Sequence, residues 1–211
     1  MFKLGLIINP LAGLGGSVAL KGSDNMAEQA LAMGATAKAG LRTKTALSDL
    51  ADLQNQIQVF TCPADMGENV MLELGWNHEV LPLPNSAQTS AQDTKNAAIA
   101  LKERGMDLIV FAGGDGTARD VCEVIEDACP VLGIPAGVKI HSGVYGITPK
   151  ASGEVIRMLV TGQLVDLRPQ DVRDIDEDAF RNNQVKAKLY GETFTASKIK
   201  VDDGYIIVLL P

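Results

Sequence analysis

One aspartate stands among three glycines in Gly113-Gly114-Asp115-Gly116-Thr117, and the apolar run Asp107–Ala112 (DLIVFA) drives straight into it. Asp-Gly is also a common hairpin turn. A hairpin, however, needs a second strand of period two. The next residues are ARDVCEVIEDA, with Val121, Val124 and Ile125 at helical spacing against Glu123, Glu126 and Asp127. The glycines therefore sit at a strand-to-helix turn, with the helix expected to begin near Thr117. Open α/β sheets bind ligands at such carboxyl ends of strands. Glycine allows positive φ and close approach of a phosphate to amide groups, and the helix N-terminus adds bare N–H donors and partial positive charge. A carboxylate repels phosphate, so Asp115 is unfavourable in a cradle that only holds one. It makes sense as a group that accepts a proton from an attacking hydroxyl, or that helps to place a Mg²⁺ bridging phosphates. That chemistry is phosphoryl transfer, which needs in-line positioning, charge neutralisation and one group to guide the attacking oxygen. The alternative is a structural Gly/Asp turn.

Two further loops come after apolar runs. Leu4–Ile8 leads into Asn9-Pro10 with Gly13, Gly15 and Gly16 behind it, a second glycine-rich loop on the same sheet edge. The third, Ile134–Gly143 (IPAGVKIHSG), offers Lys139 as a phosphate clamp and Ser142 as a hydrogen-bond donor, beside Gly137 and Gly143. His141 in this loop reads either as a catalytic or as a structural or solvated residue. Arg119 could reach a phosphate or stand in solvent, and Asp120 could complement the helix dipole or touch a ligand. Asp171, Asp174, Asp176, Glu177 and Asp178 read as a solvated linker face, with a metal site as the alternative. Trp76 and the methionines read as packing. The Walker pattern G-x-x-x-x-G-K-[ST] is absent, and no G-x-G-x-x-G with a following ribose-binding acid stands out, which disfavours simple NAD-dependent redox chemistry.

The elements that must position these loops alternate along the chain. Residues 25–38 and Leu41–Leu53 are helix-compatible, Ile57–Thr61 is a strand, and Asp65–Leu74 is a helix stopped by Gly75. Glu79–Leu83 is a third strand, Ser90–Arg104 a helix stopped by Gly105, Val131–Gly137 a buried strand, and Val155–Val160 lies in a helix closed by Gly162. This βαβα rhythm predicts an α/β fold with a doubly wound parallel sheet and right-handed crossovers. Near Asp166 the texture changes: RPQDVRDIDEDAFR is dense in charge, and Val185–Tyr190 and Tyr205–Leu210 read as β-strands of another kind. The expected organisation is an α/β nucleotide-binding unit over residues 1–165 and a partial, truncated β-domain over residues 166–211.

The 211 residues carry 46% apolar side chains and a net charge of −7. The acidic balance argues against nucleic-acid or anionic-membrane partners. No apolar run approaches the roughly 18–20 residues that span a bilayer. Cys62, Cys122 and Cys129, odd in number and without C-x-x-C spacing, read as reduced core thiols of a cytoplasmic protein. With only His78 and His141, a His-rich metal site or a Ser-His-Asp triad is not expected.

Gly113–Thr117 after its apolar strand resembles the GGDGT signature of the NAD kinase / diacylglycerol kinase superfamily. INPLAGLGG, GGDGTARD and IPAGVKIHSGVYG together are similar to the branch of ATP- or polyphosphate-dependent NAD kinases that includes the accessory protein of acetoin catabolism. The resemblance covers at least residues 4–165. It implies a two-domain kinase whose C-terminal β-domain closes the cleft. Asp115 would guide or deprotonate the acceptor hydroxyl, which in NAD kinases is the 2′-hydroxyl of the adenosine ribose. Gly113, Gly114, Gly116 and Thr117 would line the phosphate and nucleotide site, with Asn9 beside the nucleotide and the segment Gly137–Ser142 as a further ligand-contacting loop. The substrates would be ATP or polyphosphate and NAD, with Mg²⁺ accompanying ATP and a homo-oligomer as the assembly. A lipid kinase of the diacylglycerol or sphingoid type and a nucleotide-binding regulatory protein without turnover are the alternatives.

Overall fold

Successive side chains of a strand point to opposite faces, and in β4 (Leu108–Gly113) both faces are apolar: Leu108, Val110 and Ala112 enter one core cluster, Ile109 and Phe111 another. The computed structural model describes residues 1–14, 37–86, 89–137, 140–163, 165–175, 186–202 and 205–208. Gly15, Gly16, Lys139, Asp176, Glu177, Asp178 and all but the last two residues of the helix expected over 25–38 lie outside them.

The sheet is mostly parallel. β1 (Phe2–Ile8) pairs in parallel with β2 (Ile57–Thr61) on one side and β4 on the other. β3 (His78–Val80) lies beyond β2, and β5 (Val131–Pro135) beyond β4. Helices α1 (Ala39–Ser48) and α5 (Pro149–Val160) cover one face through Ala46, Leu47 and Ile156. Helices α3 (Ala91–Glu103) and α4 (Asp115–Ile125) cover the other through Ala97, Leu101, Val121 and Ile125, while the short α2 (Glu68–Leu74) follows β2. Past β5 the sheet continues into β7 (Ala187–Asp202), which touches β5 in parallel at Val131 and Thr195 and runs antiparallel to β6 (Val165–Ile175) and β8 (Tyr205–Val208). The α/β doubly wound class expected from the alternation is the one observed.

Several boundaries differ. α4 begins at Asp115, not near Thr117, because Gly114 takes the extended N-cap position without a side-chain cap and the helix needs no Ser or Thr to start it. The helix expected over Leu41–Leu53 is α1 followed by a 3₁₀ turn, Ala51–Gln56, with Leu50 and Leu53 still buried. The third strand is His78–Val80, shorter than Glu79–Leu83. The first part of the charged segment, expected as a linker face, is strand β6: an antiparallel strand with one wet face carries charge at alternate positions, so Val172 turns inward between Asp171 and Arg173. Among the described helices none is long and apolar enough to cross a membrane.

Candidate functional site

From β1 the chain winds outward to β2 and β3; it then crosses back to β4 and winds the other way to β5. Between β1 and β4 the winding reverses, and there an open sheet leaves a crevice beyond its carboxyl ends. Asn9 closes the floor of that divide. Its N–H donates to the carbonyl of Ala112 (2.9 Å), its Nδ2 donates to Thr117 Oγ1 (2.9 Å), and its Oδ1 accepts from the N–H of Leu11 (3.0 Å).

The loop after β5 is drawn onto the same point. The N–H groups of Ala136 and Gly137 donate to the carbonyl of Gly113 at 2.9 and 3.0 Å. Gly13 has φ +78°, and a Cβ on it would stand 2.3 Å from the carbonyl oxygen of Ala136, so only glycine lets the β1 loop pass. Gly113 is equally constrained, since a Cβ would fall 2.4 Å from Thr117 Cβ. The Tyr145 hydroxyl donates to the carbonyl of Gly114 (2.6 Å), with its ring fully buried and edge-on to Phe111 at 5.3 Å. Burial first, and the charge of Asp115 second, hold the Tyr145 phenol well above its ordinary titration range.

Gly116 is different. Its φ is not positive, and a Cβ would meet only Asp174 Oδ2 at 3.7 Å and Arg119 Nη2 at 4.0 Å, ordinary contact distances. Neither packing nor backbone requires glycine here, although a helix normally favours alanine. The N–H groups of Asp115 and Gly116 have no hydrogen-bond partner among the described residues, as expected for the first positions of a helix.

Asp115 is buried, 7% exposed. Its Oδ2 accepts from the N–H of His141 (2.8 Å) and from His141 Nδ1 (3.1 Å), and its Oδ1 accepts from the N–H of Ser142 (3.1 Å). The carboxylate therefore faces the β5 loop and does not cap its own helix. Ser142 is fully buried; its hydroxyl donates to the carbonyl of Arg173 (2.8 Å) and accepts from the N–H of Arg173 (3.0 Å). It thus ties β6 to the loop rather than offering its hydroxyl to the crevice.

Asn9, Gly113, Gly114, Asp115, Gly116, Thr117 and Ser142 are all brought to one edge of the sheet, while Lys139 lies outside the described residues. Arg119 is paired: Nη1 meets Asp174 Oδ2 at 2.7 Å, Nη2 meets Asp120 Oδ1 at 3.5 Å, and the guanidinium lies 5.5 Å from the Tyr190 ring centroid. Arg119 also lines, with Cys122, Val172 and Tyr190, a cavity of about 290 Å³ between α4 and the β6–β7 hairpin. Asp174, expected in solvent, is drawn in by that ion pair. Two residues have no local sequence signal for the positions they take. Arg42, in α1, donates from Nη1 to the carbonyl of Pro135 at the end of β5 (2.7 Å), and Tyr145 anchors the glycine loop.

Among the described residues no three or more His, Cys, Asp or Glu side chains gather as a metal site.

Residues 4–164 match the family model described as ATP-NAD kinase N-terminal domain. No curated protein matches the chain.

Proposed function

The chain belongs to the ATP-NAD kinase family through its N-terminal domain, and on that premise we propose that this kinase transfers the terminal phosphoryl group of ATP, or of polyphosphate, to the 2′-hydroxyl of NAD, giving NADP. The observation that carries the proposal is the convergence of the loops after β1, β4 and β5 on Asp115 where the winding of the sheet reverses. The phosphates would lie against the free N–H groups of Asp115 and Gly116, where the helix dipole favours negative charge and Gly116 leaves room for close approach. Asn9, Gly113, Gly114 and Thr117 shape that turn, and Ser142 holds the β5 loop beside it. Lys139 and Arg42 would supply positive charge. Mg²⁺ would enter with ATP and would offset charge on the phosphates. Asp115 would guide or deprotonate the acceptor hydroxyl. Residues 166–211 would belong to a second, β-rich unit contributing to the acceptor side.

The test is direct. The full chain is incubated with MgATP or polyphosphate and NAD, and NADP is read with an NADP-specific dehydrogenase. Formation of NADP in proportion to enzyme is the expected result. ADP release that depends on another alcohol, with no NADP, would transfer the proposal to a different acceptor.

A further inference from the structure

Tyr145 is buried, and its hydroxyl has one hydrogen-bond partner among the described residues, the carbonyl of Gly114 at 2.6 Å. That carbonyl does not need it. The N–H groups of Thr117 (2.9 Å) and Ala118 (3.1 Å) already donate to it as the first bonds of α4, and a carbonyl oxygen has two lone pairs. A phenylalanine would fill the same space without taking a hydroxyl out of water. The fold nonetheless makes room for this ring. Gly133 lies in the middle of β5, where glycine weakens a strand, and a Cβ on it would stand 2.2 Å from Tyr145 Cδ1. The backbone beside the ring is fixed as well: the N–H of Gly133 donates to the carbonyl of Val144 (2.7 Å), and the N–H of Gly146 donates to the carbonyl of Gly133 (3.1 Å). Phe111 of β4 meets the ring edge-on. The side chain is thus a rigid strut between β5 and the glycine turn.

What the strut reaches is the peptide unit that joins Gly114 to Asp115. A trans peptide is planar, with its C=O and N–H pointing in opposite directions, so holding the Gly114 carbonyl sets the direction of the Asp115 N–H. That N–H has no partner among the described residues and points out of the helix end. The unit needs a tie from outside. Glycines on both sides of Asp115 leave the turn free to rotate, and Gly114 supplies no side-chain cap. Resting on the phosphate placement proposed above, we infer that Tyr145 is a positioning residue: its hydroxyl locks the Gly114–Asp115 peptide so that the Asp115 N–H is directed at the phosphate before the ligand arrives. An amide aimed in advance needs no reorganisation on binding. Tyr145 lies beneath the turn and acts through its main chain.

A tyrosine with a structural role alone has a different signature. Loss of its hydroxyl would lower stability and nothing else, as any small core deletion does. A positioning role adds a loss of phosphate affinity beyond what an equal loss of stability brings, together with a change at the Asp115 amide itself. Ile125 supplies the comparison. It is buried in the last turn of α4, at the opposite end of the helix from the glycines, and Ile125→Val costs about as much stability as one hydrogen bond.

The experiment uses the full chain as wild type, Tyr145→Phe and Ile125→Val. Binding of ATP and of inorganic tripolyphosphate is measured by calorimetry, and the Asp115 amide resonance is followed by NMR. In the wild type that resonance should be sharp, free of slow exchange, and shifted by tripolyphosphate. In Tyr145→Phe both ligands should bind about tenfold more weakly, and the Asp115 resonance of the free protein should move. Ile125→Val should bind both as the wild type does. Tripolyphosphate affinity in Tyr145→Phe within about twofold of wild type, or an equal loss in Ile125→Val, overturns the inference and leaves the kinase standing. If Tyr145→Phe fails to fold, relaxation dispersion on the wild type decides: a free protein without exchange at Asp115 supports the lock, and exchange that tripolyphosphate quenches overturns it. A wild type that binds tripolyphosphate but forms no NADP overturns the kinase and leaves the role of Tyr145 standing. No binding of either ligand overturns both.

Discussion

Replacing Asp115 by Asn removes one charge and almost no volume, yet it should destabilise the fold as well as the activity. The carboxylate accepts from two N–H groups of the chain and from the His141 ring, using both oxygens. An amide has one oxygen. Placed at Oδ2 it keeps the His141 contacts, and its NH₂ then confronts the N–H of Ser142, donor to donor. Placed at Oδ1 it loses both His141 bonds. In the less damaging arrangement one charge-assisted bond, worth about 1.5–3 kcal/mol, becomes neutral or is lost, and a buried donor without an acceptor adds about 1–3 kcal/mol. The sum after partial relaxation is roughly 2–4 kcal/mol. For a chain of this length each kcal/mol lowers Tm by about 2–4 °C, so Asp115→Asn should melt roughly 4–16 °C below wild type. Urea unfolding followed by the fluorescence of Trp76, the single tryptophan and 5% exposed, measures the change. A variant within about 0.5 kcal/mol of wild type would refute the claim that this carboxylate holds the β5 loop. The same result has a consequence for activity data: loss of turnover in Asp115→Asn does not by itself identify Asp115 as the base, since the loop that carries His141 is disturbed too.

Gly116→Ala should fold at least as well as wild type, gaining up to ~1 kcal/mol because alanine is the better helix residue and its methyl meets nothing closer than 3.7 Å. ATP affinity, read by thermal shift or calorimetry, should nonetheless fall by about tenfold or more; unchanged affinity would remove the phosphate from this turn. Tyr145→Phe deletes the hydroxyl bond to Gly114, but that carbonyl still accepts from Thr117 and Ala118, so denaturant unfolding should show a loss of only about 0.5–1.5 kcal/mol; a loss above 3 kcal/mol would mean the ring, not the bond, had moved. Burial pushes the Cys62 and Cys122 thiols up to about 12. Their unfolded counterparts ionise near ~8.5, so the native state holds these protons longer. That contribution to stability is complete below the unfolded value and disappears as pH rises toward 12, with a slope of about 1.4 kcal/mol per pH unit for each thiol. Urea unfolding from pH 7 to 10.5 should show the decline setting in above about pH 8.5, and Cys62→Ala should reduce its slope.

The strands around the site were legible because a parallel strand covered on both faces is a continuous apolar run, as in Leu4–Ile8, Asp107–Ala112 and Val131–Pro135. The glycine turn was legible because the helical period after it excluded a hairpin. The true start of α4 was not, since Gly114 caps the helix through backbone geometry alone and leaves no side-chain signature. Nor was β6, whose acids and Arg173 look like a linker until β7 pairs with it and Val172 turns inward. The least legible feature is the contact between Asp115 and His141. The two lie 26 residues apart, and they meet only because β4 and β5 are adjacent parallel strands whose loops emerge at the same edge.

An acid at the head of a helix proposed to bind an anion looks self-defeating, because it would compete with the ligand for the amides of the helix end. The conflict disappears once the direction of the side chain is considered. Asp115 occupies the first helical position, where its backbone N–H points out of the helix end, but its carboxylate is turned away and is satisfied by donors of the β5 loop. The helix N-terminus therefore keeps its free donors, and the negative charge is offset locally by two N–H groups and the ring of His141 rather than by the amides a phosphate would use. The arrangement depends on Gly113, where any side chain would drive into Thr117, and on the close passage of the β5 loop, whose N–H groups bind the Gly113 carbonyl. A methyl group at Gly113 would have to displace Thr117, and with it the first turn of the helix that carries Asp115.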